Sequence, residues 1–254
     1  MTRFARVEHE GRATWLRVDD GAVLKSAPWI SEEVTGTADP ACLPRLPPAT
    51  PSKLVCVGRN YRAHAQELGN EVPKEPLLFF KPPSSLLAPG GTLLLPPESE
   101  RVEHEGELTI VIGRRGRRIL RERALDHVFG YTIACDVTAR DLQKKDGQWT
   151  RAKGFDGFCP LGPEIVTGID PAALGVRVRV GGSLRQDGNT RDMVFDVAAL
   201  VAYVSNAMTL EPGDLILTGT PEGVGPLVAG DQVEVEIDGL GALAFDVARE
   251  SVAG

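Results

Sequence analysis

From residue 53 onward, short apolar runs alternate with clusters of Gly and Pro, the runs falling at residues 54–57, 108–112, 128–135, 176–180, 215–217 and 233–237. Runs of that length bounded by turn formers are strands rather than helices, so the pattern predicts a β-rich main domain. Asp238-Gly239 and Gly181-Gly182 supply hairpin turns between such runs. Upstream, residues 4–18 read as two short strands around Glu10-Gly11, and the segment to about residue 50 ends in the proline-rich LPRLPPATP. This predicts a small N-terminal β unit over 1–50, closed by a linker at 43–51, ahead of a main domain over 51–254.

Helical signals are few. Residues 121–127 suffice for one or two turns. A better candidate spans 197–208, where Asp196 is placed to cap and Val197, Leu200, Val201 and Val204 share one face. Both are expected to cover sheet edges. The regular strand-helix alternation of a doubly wound sheet is missing, which disfavours a Rossmann-type fold, and no internal repeat appears.

Composition narrows the function. A hydrophobic fraction of 42% over 254 residues supports a sizeable core in one large domain or a main domain with an appendage. A formal charge of -7 offers no attraction to nucleic acid or an anionic membrane, which leaves a small molecule as the expected partner. The basic run Arg114, Arg115, Arg117 and Arg118 reads as a solvated turn. Cys42, Cys56, Cys135 and Cys159 form no CxxC pair, so reduced thiols and a cytoplasmic location are expected. The N-terminus carries charges throughout with no apolar export segment, and no stretch has the length of a membrane span.

The richest segment is HEGELTIVI. Strand alternation puts Glu105, Glu107 and Thr109 on one face and Leu108, Ile110 and Ile112 on the other. Two carboxylates about 6–7 Å apart at the end of a buried strand repel one another unless a cation lies between them; the bland alternative is a solvated strand end. Asp136 closes another apolar run, 130–135, at a place suited to a strand-end site. Three carboxylates from two strands give hard oxygen ligands with open positions, which suits Mg²⁺, Mn²⁺ or Ca²⁺ rather than zinc. Spacing does not choose among these.

The ordered set CVGRNYRAHAQELG, FFKP, HEGELTIVIG, ACDVTARDLQ, RAKGFDGFCPLGP, RQDGNTRDMVF and LTGTPEGVGPL, spread over residues 53–247, resembles the fumarylacetoacetate hydrolase family. The resemblance implies an α+β, β-rich fold of the mixed β-roll type with a small N-terminal β unit, and a homodimer or higher assembly. It also implies Mg²⁺ or Mn²⁺, with Ca²⁺ as a substitute, on Glu105, Glu107 and Asp136. Lys153 matches a lysine beside the metal; by itself it reads rather as a surface cation pairing with Asp156, and the motif context reverses that. His64 and Glu67 match an H-x-x-E on a mobile segment of hydrolase and decarboxylase members, and at i and i+3 the carboxylate can orient the imidazole. Arg59, Tyr61 and Gln143 resemble substrate-pocket residues. Thr218, Gly219 and Thr220 resemble a loop holding the substrate carboxylate through N–H and hydroxyl groups, with Gly219, Gly223 and Gly225 allowing close backbone approach.

A 2-oxo acid can chelate a divalent ion through its keto and carboxylate oxygens, a need shared by C–C hydrolysis, decarboxylation and double-bond isomerisation. The resemblance is nearest to 2-hydroxyhepta-2,4-diene-1,7-dioate isomerases and related decarboxylases of aromatic-acid breakdown, with acylpyruvate hydrolase or oxaloacetate decarboxylase as the alternative. A non-catalytic metal- and ligand-binding protein and a structural calcium protein are the rivals outside catalysis. The compact, Pro- and Leu-rich stretch 82–103 departs from the family's pattern and is expected to line the pocket in its own way.

Overall fold

The computed structural model describes residues 1–251 and is strand-rich, with three sheets and only four α-helices among those residues. Each of the six apolar runs forms a strand, extended by a residue or two where a Gly or polar residue adjoins it, as in Gly106–Ile112 and Gln232–Ile237. The Gly106–Ile112 strand lies inside a 12-stranded sheet and is buried along its whole length, so both of its faces contact protein. It pairs antiparallel with Val128–Cys135 on one side and with Leu215–Leu217 on the other. Leu215–Leu217 in turn runs parallel to Leu54–Gly58, which is paired with the edge strand Leu77–Lys81.

The strand directions locate the site. The carboxyl ends of Val128–Cys135, Leu215–Leu217 and Leu54–Gly58 and the amino end of Gly106–Ile112 all meet along one rim of the sheet. A five-stranded sheet, ordered Ser183–Asn189, Gly175–Val180, Gln232–Ile237, Gly241–Arg249 and Thr92–Leu95, packs on this rim. It comes so close that a Cβ on Gly106 would lie 2.4 Å from Val178 Cγ2 and 2.9 Å from Val235 Cγ1. Glycine between the two glutamates is thus a packing requirement: any side chain there would drive the sheets apart.

The expected boundary at residue 50 coincides with no break in the sheet. Thr2–His9 pairs antiparallel with Cys159–Thr167 of the main body, and Arg3 reaches Glu164 and the Gly239 and Leu240 carbonyls. The N-terminal strands do keep a small core of their own, made by Ala5, Val7, Leu16 and Val23. Within the expected linker, Arg45–Leu46 forms a strand on Thr2–His9, and Arg45 pairs with Glu164. Prolines suggested an open connection, yet those flanking this pair do not obstruct its edge bonding.

The four helices are α1 (Arg62–Glu67), α2 (Arg140–Asp146), α3 (Thr150–Gly154) and α4 (Val197–Ala207). Asp196 caps α4, accepting from Ala199 N at 2.8 Å, and the expected apolar face is buried. Residues Arg121–His127 form a 3₁₀ turn, and α4 packs on it while driving Val197, Leu200, Val201 and Val204 into the main core. No helix among the described residues is long and apolar enough to cross a membrane. All four cysteines are free; burial raises the thiols of Cys56, Cys135 and Cys159, the last to about 12, which keeps them protonated and unreactive.

Candidate metal centre

Antiparallel pairing of Gly106–Ile112 with Val128–Cys135 matches Gly106 to Cys135 and Glu107 to Ala134, so the next residue, Asp136, falls beside Glu105 and donates its N–H to the Glu105 carbonyl at 2.8 Å. Glu105, Glu107 and Asp136 converge there, with one oxygen of each within 4.8 Å of the others. They are 4%, 2% and 1% exposed, which rules out a solvated strand end.

Two buried lysines face the triad. Lys153, delivered by α3, donates to Glu105 Oε2 at 2.8 Å and Asp136 Oδ2 at 2.7 Å, and it sits 4.9 Å from the Phe79 ring centroid. The surface pairing with Asp156 therefore does not form. Lys81, the lysine of FFKP, lies 2.7 Å from Asp136 Oδ1, but its hydrogen bonds run to the Val137 and Lys153 carbonyls. Asp136 Oδ1 thus receives positive charge without a directed hydrogen bond and is a buried acceptor with no partner among the described residues. Arg140, from the first turn of α2, spans the other side. It donates to Glu103 at 2.7 Å, to Glu105 Oε1 at 2.5 Å and to Gln143 at 2.7 Å.

These partners divide the triad. Burial opposes the charge on Glu105, but Lys153 and Arg140 outweigh it and hold its carboxyl well below the ordinary range. Glu107 moves the other way: burial, then the charges of Asp136 and Glu105, push it well above that range, opposed by Lys153 and by the Gly219 N–H at 2.7 Å. Lys153 is burdened by burial yet stabilised as a cation by Asp136 and Glu105, which raise it. A buried carboxylate disfavoured by two like neighbours is relieved by a cation. Three hard carboxylates fit a divalent ion of the Mg²⁺ or Mn²⁺ kind.

The triad floors a cavity of about 60 Å³ walled by Val57, Arg59, His64, Phe79, Arg140, Gln143, Trp149, Lys153 and Thr220 among others. His64 is 5% exposed, with Nδ1 3.3 Å from Glu67 Oε2 across one turn of α1. Glu67 also accepts the Gly223 N–H at 3.1 Å, tying α1 to the 218–225 loop. A wider hollow of about 380 Å³ lies outside, sharing Arg59, Arg140, Gln143 and Trp149 with the inner cavity.

The expected substrate residues separate into two groups. Arg59, Gln143 and Thr220 stand on the cavity wall, whereas Tyr61, Thr218 and Gly219 lie behind it. Tyr61 is 1% exposed, and its hydroxyl has no partner among the described residues. In the 218–220 loop, the Thr218 and Gly219 N–H groups and both threonine hydroxyls have partners within the protein. Thr218 N and Oγ1 donate to the Leu108 carbonyl, Gly219 N serves Glu107, and Thr220 Oγ1 donates to Gly106 O while accepting from Gln186. Through Gly219 the loop orients Glu107. Gly219 takes φ 94°, and a Cβ there would sit 2.8 Å from Asn60 Cβ, so the close approach needs glycine. Of the 82–103 stretch, Arg101 and Glu103 line the outer cavity and none lines the inner one.

Arg140, Lys81, Glu103 and Trp149 were not singled out from sequence. FFKP and TARDLQ flag Lys81 and Arg140 as charges beside apolar runs, but their destination depends on how α2 and the edge strand fold against Asp136.

A mixed β fold holding a buried carboxylate triad that could hold a metal ion, with a lysine beside it at the base of a small cavity, defines a class of enzyme site. The chain belongs to the fumarylacetoacetate hydrolase family: residues 53–248 match the family model described as Fumarylacetoacetate (FAA) hydrolase C-terminal, and like the family's members the protein is an enzyme. It is 48% identical to the mitochondrial oxaloacetate tautomerase FAHD1 of Arabidopsis thaliana, over 78% of this chain and 92% of that one. A solved 2-hydroxyhepta-2,4-diene-1,7-dioate isomerase from Mycobacterium marinum superposes with a TM-score of 0.90 at 42% identity, covering 99% of this chain and 100% of that one. A fumarylpyruvate hydrolase from Pseudomonas aeruginosa, solved with Mn²⁺ and pyruvate, gives 0.73 at 37% identity over 79% and 91% of the two chains.

Proposed function

We propose that the protein acts on a small 2-oxo or 2-hydroxy-dienoic acid as an isomerase or decarboxylase of the 2-hydroxyhepta-2,4-diene-1,7-dioate type, using a divalent ion on Glu105, Glu107 and Asp136. The observation that carries this reading is the convergence of three buried carboxylates at the floor of a cavity that also presents Lys153 and His64. When bound, a divalent ion supplies Lewis acidity at the keto and carboxylate oxygens of a chelating acid.

The chain's own groups do the rest. Lys153, kept cationic by Asp136 and Glu105, is placed to stabilise negative charge developing on the keto oxygen. Arg140 and Lys153 hold Glu105 ionised and fix its direction. Glu67 engages His64 Nδ1, which leaves Nε2 as the nitrogen that takes or delivers a proton at the carbon next to the keto group. Trp149, Phe79 and Leu68 keep water from the cavity walls.

Tautomerisation, isomerisation and C–C cleavage, the activities named for the three relatives, all require proton movement or bond breaking near a keto group. The His64–Glu67 pair favours a second reading, acylpyruvate hydrolysis or oxaloacetate decarboxylation, because it is also suited to activating water. The decisive assay loads the protein with Mg²⁺ or Mn²⁺ and measures turnover of a 2-hydroxy-dienedioate, an acylpyruvate and oxaloacetate. Fastest turnover of the first supports the main reading. Tight metal binding without turnover of any of the three refutes both and favours a ligand-binding role. A cytoplasmic location and a homodimer are part of the same proposal; a monomer in sedimentation equilibrium at micromolar concentration removes the latter.

A further inference from the structure

The motif RQDGNTRDMVF lines neither cavity, yet it sends one side chain to the strand that carries the glutamates. On Ser183–Asn189, the edge strand of the five-stranded sheet, Gln186 is the one fully buried residue, whereas Leu184 is 46% exposed. An amide turned inward beside a leucine turned outward reverses the usual order of burial, and local reversals of that kind concentrate at functional sites.

Gln186 uses all four of its hydrogen-bonding positions. Oε1 accepts from Gly106 N at 3.0 Å and lies 3.2 Å from His104 Nδ1; Nε2 donates to Thr220 Oγ1 at 2.8 Å and to the Pro221 carbonyl at 2.7 Å. Gly106 N can only donate and the Pro221 carbonyl only accept, so the amide has one orientation and His104 Nδ1 carries the proton. Thr220 Oγ1 in turn donates to the Gly106 carbonyl, closing a ring through Gln186, Thr220 and Gly106. Both polar backbone groups of the residue between Glu105 and Glu107 are held in this ring.

The ring is braced on two sides. Gln186, Val178 and Val235 are register partners across three adjoining strands, and all three meet Gly106. The 218–225 loop lies directly on the same edge strand: a Cβ on Gly188 would fall 2.3 Å from Pro221 Cβ, and one on Gly223 2.1 Å from the Arg185 carbonyl oxygen. From that loop Gly223 N reaches Glu67, which engages His64.

We infer that Gln186 is a positioning residue that sets the Glu105 and Glu107 carboxylates and, through the 218–225 loop and Glu67, the His64 imidazole in one common frame. It acts only through these neighbours. The inference rests on the metal-centre reading and adds to it the residue on which the ligand strand and the His64 helix both depend. An amide suits the place because it joins two donors to an acceptor without adding charge to the balance that Lys153 and Arg140 set.

Gln186→Met keeps the shape and loses every polar bond. Calorimetric titration of the metal-stripped variant with MnCl₂ is expected to show affinity lower by about tenfold or more. Amide exchange in the metal-free protein is expected to quicken at Gly223 and in α1. For whichever of the three acids the unaltered protein turns over, kcat should fall by about tenfold or more while KM changes by less than about threefold. Val7→Ala, in the separate N-terminal core, lowers stability alone and is expected to leave Mn²⁺ affinity and α1 exchange as they are. Should Gln186→Met fail to fold, Thr220→Val opens the same ring and carries the same expectations for Mn²⁺ and exchange. Mn²⁺ bound equally well by the unaltered and Gln186→Met proteins, or unchanged exchange at Gly223, overturns the role alone, as do losses that Val7→Ala reproduces. If the unaltered protein binds no Mn²⁺, the metal-centre reading falls and the role with it.

Discussion

Glu105 and Glu107 stand two residues apart, equally buried, and respond to burial in opposite directions. Glu105 has Lys153 and Arg140 on its two oxygens, while Glu107 has a single backbone N–H and two acidic neighbours. Their substitutions should therefore diverge. Glu107→Gln removes a repelled charge and keeps an acceptor for Gly219, so melting in EDTA is expected to stay level or rise. Turnover is expected to fall by about a thousandfold, near 4 kcal/mol of barrier, and the stabilisation by Mn²⁺ to vanish in the same calorimetric series. Lys153→Met does the reverse, leaving Glu105 and Asp136 facing each other without their shared cation. Urea titration in EDTA is expected to show a loss of about 3–5 kcal/mol, the cost of breaking a buried pair from one side. The candidate ligands were legible at this scale because strand alternation fixes which face a residue takes; the lysine's place came only from the family resemblance, since RAKGFDG by its residues alone reads as a surface cation.

Among the elements, α1 is tied to the 218–225 loop by a side chain at its carboxyl end. Glu67 orients His64 and accepts from Gly223, so one carboxylate couples the helix to the loop that also positions Glu107 through Gly219. Glu67→Ala is expected to lower kcat more than it changes KM and to speed amide exchange in α1, with stability moving by no more than about 0.5 kcal/mol because the residue is one-third exposed. Unchanged exchange in α1 would show that the contact does not hold the helix. Gly106→Ala probes the other support of the site. Its Cβ would press Val178 and Val235, costing about 1–3 kcal/mol and displacing both flanking glutamates, so metal affinity measured by titration should drop along with the melting temperature. Helices α2 and α3 escaped sequence analysis because RDLQKKD and TRAKG are short and carry no apolar stripe; they are held by contacts to Glu103, Glu105 and Asp136 rather than by intrinsic preference.

At the scale of the molecule, the triad sits where strand ends from distant parts of the chain meet, yet the core around it is extensive and built of apolar side chains. Free Mg²⁺ or Mn²⁺ at a hundred times its Kd should add about 2.7 kcal/mol, raising Tm by about 5–10 °C for a chain of this size. The protein should nevertheless remain folded in EDTA by far-UV circular dichroism. Unfolding in chelator would identify a structural staple instead of a catalytic centre.

The sequence by itself determined the strand-rich architecture, the face on which Glu105 and Glu107 lie, and the ends of the apolar runs where Asp136 and Thr218 emerge. These follow from local rules of period two and turn chemistry, which act over a few residues. Only the tertiary structure decided that residues 1–50 join the main sheet, that Lys81 and Arg140 flank the triad, and that the 218–220 loop serves Glu107 and the sheet. Each depends on pairings between segments 30 to more than 150 residues apart, for example Thr2 with Thr167 and Arg140 with Glu105. At such separations, register and packing of whole sheets determine which polar groups meet, and no local pattern encodes that.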